Sequence, residues 1–103
     1  MKKIEALRLA RMLKEKLRER HIPVRQMLLY GSAARDVARD DSDIDIAVIC
    51  DPFRKTRLEE NMEVSRNRWD IDLRIETVCL RLEDLEDPYF DLAREVKKHG
   101  IPV

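Results

Sequence analysis

The eight residues DIDIAVIC, at positions 43–50, constrain the fold of this 103-residue chain more than any other segment. Alternate residues of a β-strand point to opposite faces of its sheet. One face of this predicted strand is apolar throughout and comprises Ile44, Ile46, Val48 and Cys50. The other begins with two carboxylates and becomes apolar further along, with Asp43, Asp45, Ala47 and Ile49. We interpret the first face as core and the acidic end of the second as a candidate site.

Hydrophobic periodicity predicts alternating helices and strands around this segment. Apolar residues every three or four positions from Ile4 predict a first helix of about five turns that ends before Pro23. Further strands are predicted at 24–30 and 70–78, and a short helical turn is predicted to follow Gly31. A weaker helical stripe lies between the second and third strands and comprises Leu58, Met62, Ser65 and Trp69.

The last predicted helix has clear end signals. Asp87 suits the N-cap, Pro88 the first helical position, and Gly100 a left-handed stop. The expected buried side of this helix comprises Tyr89, Leu92, Ala93 and Val96. The whole pattern predicts one α/β (α+β) domain over residues 1–103, with a small mixed three-stranded sheet and helices on one face.

Composition limits the class of protein. The 21 Lys and Arg residues balance the 21 Asp and Glu residues, so a basic nucleic-acid-binding face is disfavoured and no direct nucleic-acid partner is expected. Cys50 and Cys79 lack CxxC spacing and sit among apolar neighbours, as small buried hydrophobes do. The amphipathic, charged N-terminus is unlike a signal sequence, and no apolar run approaches membrane length. We therefore expect a cytoplasmic protein without a membrane partner.

The acidic strand end and the segment before it suggest a chemistry. Asp43 and Asp45 lie about 6.5–7 Å apart along one strand face and form half of a cation site. Gly31 permits close approach of a phosphate, and Ser32 begins a helical turn whose free N–H groups favour anions. An anion cradle beside a divalent-cation site is what a nucleoside triphosphate with magnesium requires.

These residues resemble a known family. The segments GSAAR and DSDIDIAV are similar to the signature of the nucleotidyltransferase domain of the DNA polymerase beta superfamily, which is Gly-Ser, ten residues, then Asp-x-Asp. Gly31, Ser32, Asp43 and Asp45 match that spacing, and the resemblance to the minimal nucleotidyltransferases (MNT) extends along the chain to the closing YFDLAREVKKHGI. Many relatives carry glycine where this chain has Asp36, which adds a negative charge near the expected phosphates.

The resemblance implies a third carboxylate, from the next strand, in a hydrophobic-Asp-hydrophobic context. Asp72 matches that context best, and Asp70 is the reserve because it has the same parity. By this resemblance, Asp43, Asp45 and Asp72 would be the catalytic residues and would hold two magnesium ions. Gly31, Ser32 and Arg35 would bind the phosphates of the donor, ATP.

The resemblance also implies a partner. Minimal members of the family are paired with a small helical HEPN-domain toxin, and as antitoxins they transfer AMP to a tyrosine of that ribonuclease. We expect the same activity here, because the chain has no room for a separate acceptor domain. Two alternatives remain open: a non-catalytic antitoxin that neutralises its HEPN partner by binding, and an orphan nucleotidyltransferase with a small-molecule acceptor.

Overall fold

The computed structural model of the protein describes residues 2–35 and 42–103. The elements follow one another as α1 (Lys3–Glu19), β1 (Val24–Tyr30), α2 (Gly31–Ala34), β2 (Ile44–Cys50), α3 (Arg57–Arg66), β3 (Ile75–Leu80), α4 (Asp91–His99) and β4 (Ile101–Pro102). A 3-10 turn at Leu82–Glu86 connects β3 to α4. Asp36, where many relatives carry glycine, lies outside the described residues. No helix among the described residues is long and apolar enough to cross a membrane.

The strands form one mixed sheet in the order β3-β2-β1-β4. β1 pairs antiparallel with both β2 and β4, whereas β2 and β3 run parallel. A parallel pair needs a crossover connection, and α3 supplies it. The sheet therefore carries β2, with its two aspartates, in an interior position.

The first face of the sheet holds the larger core. The apolar stripe of α1 packs there, and Val64 of α3 joins it. From β2 this core takes the four residues predicted for the apolar face, Ile44, Ile46, Val48 and Cys50. Cys50 and Cys79 are buried free thiols, as their apolar neighbours predicted.

The second face is covered over part of its length by α4. Ala93 and Val96 of this helix pack on Ala47 and Ile49 of β2, with Leu28 and Leu80 from the neighbouring strands. The end of the face that carries Asp45 lies outside this cluster. Burial of the apolar half thus leaves the acidic half accessible.

The predicted fold class is confirmed, with two differences in detail. The sheet has a fourth strand, the two-residue β4, which the sequence did not predict because so short a strand carries no periodicity. Helices lie on both faces of the sheet, since α4 packs opposite α1. The acidic half of β2 consequently lies beside α4, which the sequence pattern predicted on the other face.

Two element boundaries were predicted wrongly. The third strand begins at Ile75, not at Asp70, because the chain continues in turns after α3, with the N–H groups of Ile71 and Asp72 donating to the carbonyl of Arg68. The last helix begins at Asp91, because Asp87 instead accepts a hydrogen bond from the N–H of Tyr89, at 2.9 Å.

Two residues at the ends of the predicted last helix also differ from expectation. Tyr89 is 92% exposed, so it lies outside the buried side predicted for it. Gly100 has a φ of −66°, so it does not form the left-handed stop. The helix ends instead because the chain turns directly into β4, which begins at Ile101.

Helix α3 faces the opposite way from its sequence pattern. Leu58, Met62 and Trp69 of the predicted stripe are exposed, whereas Glu60 is buried. The Glu60 carboxylate is satisfied by the backbone N–H groups of Phe53 and Arg54 and by the Arg81 guanidinium. These partners come from distant segments, so local periodicity does not reveal them.

A second buried carboxylate joins α3 to the turn after β3. Asp84 accepts hydrogen bonds from both terminal nitrogens of Arg57, at 2.5 and 2.8 Å, and from the N–H of Arg81 at 2.8 Å. Bidentate arginine–carboxylate pairs of this kind are geometrically specific as well as strong. This pair fixes the start of α3 relative to the end of β3.

Candidate functional site

Three side chains on adjacent strands form a row across the accessible half of the second face. Tyr30 of β1 is paired in register with Asp45 of β2, and Asp45 is paired with Glu76 of β3. Residues paired directly across neighbouring strands share a face and lie about 5 Å apart. The row therefore places a phenol and a second carboxylate on either side of Asp45.

Gly31 lies directly above this row, at the turn from β1 into α2. Its φ is +71°, and a Cβ at this position would collide with Oδ2 of Asp45 and lie 3.3 Å from Cγ. Only glycine accommodates both the left-handed backbone and the approach of the carboxylate. The Gly-Ser turn and the second aspartate of the motif, distant in sequence, are thus in contact.

Asp45 lies in a strongly acidic environment. Burial raises the pKa of Asp45, and the negative charges of Asp43, Glu76 and Glu95 raise it further. Within the described part of the chain, no group donates a hydrogen bond to the Asp45 carboxylate. A carboxylate with like charges around it and no donor is suited to bind a cation.

Tyr30 and Glu95 border the same site. Burial raises the pKa of Tyr30 to about 12, with further contributions from Asp45, Glu95 and Glu76. Glu95 lies on the solvent side of α4, the helix that covers the adjacent apolar half of the face. The Tyr30 hydroxyl therefore stays protonated and can act as a hydrogen-bond donor near neutral pH.

The predicted phosphate-binding residues lie on the short helix α2. Its first N–H groups follow Tyr30, which provides no side-chain cap, so they remain available to an acceptor. Ser32 is partly exposed, and its hydroxyl makes no hydrogen bond within the described residues. Arg35, immediately after α2, is exposed. Ser32 and the α2 amides thus present donors beside Asp45.

The structure places Asp72 and Asp70 away from this row. Asp72 precedes β3, and its carboxylate accepts hydrogen bonds from the N–H of Arg74 at 2.9 Å and from the guanidinium at 2.7 and 3.0 Å. Asp70 is 76% exposed and forms an ion pair with Lys16. Neither residue is among the charges that raise the pKa of Asp45.

Glu76 occupies the position beside Asp45 that sequence reasoning assigned to Asp72. The two residues have the same parity, and the alternation DIDLRIE continues without interruption through both. Only the observed start of the strand, at Ile75, separates them. Arg68 also approaches Glu76, at 3.6 Å, while donating to the carbonyl of Ile75 at 2.8 Å.

The donor set fits a magnesium ion by its chemistry. Magnesium prefers oxygen ligands and binds through one or two carboxylates together with substrate phosphates. Asp43 and Asp45 offer two such carboxylates and Glu76 a third, and their mutual charge raises the pKa of Asp45. Among residues 2–35 and 42–103, no three histidine, cysteine or acidic side chains converge on a single ion position.

A Gly-Ser turn in contact with an acidic strand end, on a mixed sheet, is the site that the sequence resemblance predicts for a nucleotidyltransferase. The model of the family described as "Polymerase beta, Nucleotidyltransferase" matches residues 12–103, and the chain belongs to that family. No curated protein sequence matches the chain.

Two solved structures are similar to this protein. A Sulfolobus solfataricus protein assigned as a nucleotidyltransferase shares 22% identity and a TM-score of 0.70, over 97% of this chain and 80% of its own. A toxin–antitoxin crystallised with AMP-PNP shares 25% identity and a TM-score of 0.57, over 87% of this chain and 68% of that chain. The first similarity shows the fold, and the second connects that fold with a toxin–antitoxin assembly.

Proposed function

We propose that this protein is a cytoplasmic antitoxin that transfers AMP from magnesium-bound ATP to a tyrosine hydroxyl of a HEPN-domain toxin. The observation that carries the proposal is the contact between the Gly-Ser turn and Asp45, flanked by Glu76. This contact joins the segment predicted to bind phosphate to the pair of carboxylates Asp45 and Glu76. The similar toxin–antitoxin with bound AMP-PNP supports both the adenine nucleotide and the kind of partner.

The proposed division of roles follows the geometry. Asp43 and Asp45 would hold the magnesium ions, with Glu76 as the third carboxylate in place of Asp72. Magnesium bound there would neutralise charge on the triphosphate and on the leaving pyrophosphate. Ser32 and the N–H groups of α2 would orient the outer phosphates.

The reaction forms one bond and breaks one. The acceptor oxygen bonds to the α-phosphorus, the bond from that phosphorus to the β-phosphate oxygen breaks, and pyrophosphate leaves. Glu76 is half-exposed and lies beside Asp45, so it is placed to accept the proton of the acceptor hydroxyl. The protonated Tyr30 would donate a hydrogen bond into the site.

Intact-mass measurement of the HEPN partner tests the proposal. Incubation with the protein, ATP and magnesium should add the mass of AMP to the partner and release pyrophosphate. Asp43→Asn and Asp45→Asn should each lower the rate by several orders of magnitude, because charge stabilisation is most of what such a site supplies. The exposed control Asp91→Asn should retain the parent rate.

Two results would redirect the assignment. Tight complex formation without a mass change, with each of the four ribonucleotides, would favour neutralisation by binding alone. Transfer to small-molecule hydroxyls with no transfer to the HEPN protein would favour an orphan transferase. Near-normal activity of Asp45→Asn would contradict the site itself.

A further inference from the structure

We propose that the outward face of α3 is a homodimer interface, in which two copies of this chain pack their α3 helices antiparallel about a two-fold axis near Met62. Leu58 and Met62, four residues apart on α3, are 69% and 57% exposed, and Trp69, in the turn after the helix, is 67% exposed and borders the same cavity as Met62. Together they present on the order of 300–400 Å² of apolar surface, which is comparable with the largest patch on a typical monomer, and such a patch is often functional. The exposed face is thus richer in large apolar side chains than a solvated helix requires.

A cavity beside this face is lined by a residue whose buried hydroxyl makes no hydrogen bond among the described residues. The cavity measures about 390 Å³ and lies between α3 and β3, lined by Asn61, Met62, Ser65, Arg66, Trp69 and Thr77. The hydroxyl oxygen of Thr77 is buried and makes no hydrogen bond within the described residues. A side chain inserted from another molecule would fill the cavity and satisfy this hydroxyl.

The outer edge of β3 does not accept an added strand. Asn61 accepts a hydrogen bond from the N–H of Cys79 at 2.7 Å, and Arg68 donates to the carbonyl of Ile75 at 2.8 Å. These side chains occupy backbone groups at both ends of the edge. An occupant must therefore present side chains from a helix or a loop, not an extended backbone.

The charged residues on this face are arranged so that two copies of the face attract each other. Glu59 lies three residues before Met62 and Arg66 lies four after it, so all three share one side of the helix. Both charged residues are exposed, and neither forms an ion pair within the described residues. In an antiparallel pair of helices, Glu59 of each copy lies beside Arg66 of the other.

Self-complementarity of this kind is what a two-fold interface requires, since each contact occurs twice. Met62 would pack on Met62 of the other copy, and Trp69 would extend over Leu58 of the other copy. A standard interface takes about 800 Å² from each partner, a little over half of it apolar. The exposed apolar side chains supply most of that apolar share.

Analytical ultracentrifugation from micromolar to millimolar concentration tests the proposal with the full chain. The parent should show a concentration-dependent monomer–dimer equilibrium. Glu59→Arg and Arg66→Glu should each weaken the dimer by about tenfold or more, because like charges then face each other. The double variant should recover most of the parent affinity. Glu19→Arg, a charge reversal on an exposed part of α1, is the matched control and should leave the affinity unchanged.

The single tryptophan gives an independent readout. Trp69 emission should shift to the red, and its quenching by acrylamide should increase, as the protein is diluted through the dissociation range. Thermal melts of each variant would establish that it folds. A monomer at every concentration, emission that is independent of dilution, or single reversals that leave the affinity unchanged would overturn the proposal.

Discussion

Glu76→Gln and Asp72→Asn should change stability in opposite directions. Two unit charges about 5 Å apart repel by about 3 kcal/mol at an effective dielectric of 20 and by about 0.8 kcal/mol in water. Glu76 is 53% exposed, so we take its repulsion with Asp45 as about 1 kcal/mol. Loss of the 3.6 Å contact with Arg68 offsets about 0.5 kcal/mol of that gain. Without magnesium, Glu76→Gln should therefore raise Tm by about 2–4 °C.

Asp72→Asn should instead destabilise the protein. The hydrogen bonds from the Arg74 guanidinium lower the pKa of Asp72 most. The hydrogen bond from the Arg74 N–H and the guanidinium charge lower it further, although burial opposes them. Replacing this carboxylate should cost about 1 kcal/mol, or about 4–8 °C in Tm. Magnesium at about 100 times its dissociation constant should add about 2.7 kcal/mol to the parent. Asp72→Asn should keep that increment, whereas Glu76→Gln should lose part of it.

The pH dependence gives a second signature of the same site. The folded-state pKa of Asp45 is raised, so between its ordinary value of 3.8 and the folded value the native state binds more protons than the unfolded chain. Stability should therefore fall as pH rises through that window. Glu76→Gln should weaken this fall, and its stability advantage should vanish below pH 3.8, where Asp45 is protonated in both states.

Thermal melts with and without magnesium, from acid to neutral pH, measure all three effects. Glu83→Gln is the control, because Glu83 is 69% exposed and lies outside the row, and it should shift Tm by less than about 2 °C and keep the full magnesium response. The reasoning would be refuted if Asp72→Asn lost the magnesium response while Glu76→Gln kept it. Asp72 would then be the third carboxylate, as the family resemblance first implied.

Three other substitutions probe other parts of the structure. Gly31→Ala should cost about 1–3 kcal/mol by urea denaturation and abolish transfer, because its Cβ meets Asp45 at a φ of +71°. Burial raises the pKa of Asp84, but the Arg57 hydrogen bonds outweigh it and the net shift is downward. Asp84→Asn should thus cost about 2 kcal/mol near neutral pH, and the difference should disappear as pH falls through the folded pKa. Thr56→Ala should cost about 1 kcal/mol by removing the N-cap of α3, whereas Thr56→Ser should retain it.

The parts of the fold that local patterns determine were predictable. The alternation in DIDIAVIC gave both faces of β2 correctly, and the spacing from Ile4 predicted the long helix α1. Gly31 and Asp45, which the motif singled out, are in contact in the structure. These predictions succeeded because each rests on the period of a single element.

The parts that depend on long-range contacts were not predictable. An unbroken alternation from Asp70 to Glu76 contains no mark of where pairing with β2 begins, so the carboxylate beside Asp45 could not be chosen by parity. The orientation of α3 depends on Glu60 and its partners from other segments, which reverse the side that its apolar stripe predicts. Helix α4 begins later than its capping signals, because Asp87 is used in a separate turn.

The pairing of β4 with β1 has a consequence for how the chain folds. Leu28 is paired with Pro102, and the N–H of Val103 donates to the carbonyl of Met27, so a contact of very long sequence separation completes the sheet. Such contacts form late, since the loop-closure entropy must be overcome before they contribute. On the ribosome, Leu28 and Ile49 would remain uncovered until α4 emerges. Until then, this apolar half-face should expose nascent chains to aggregation.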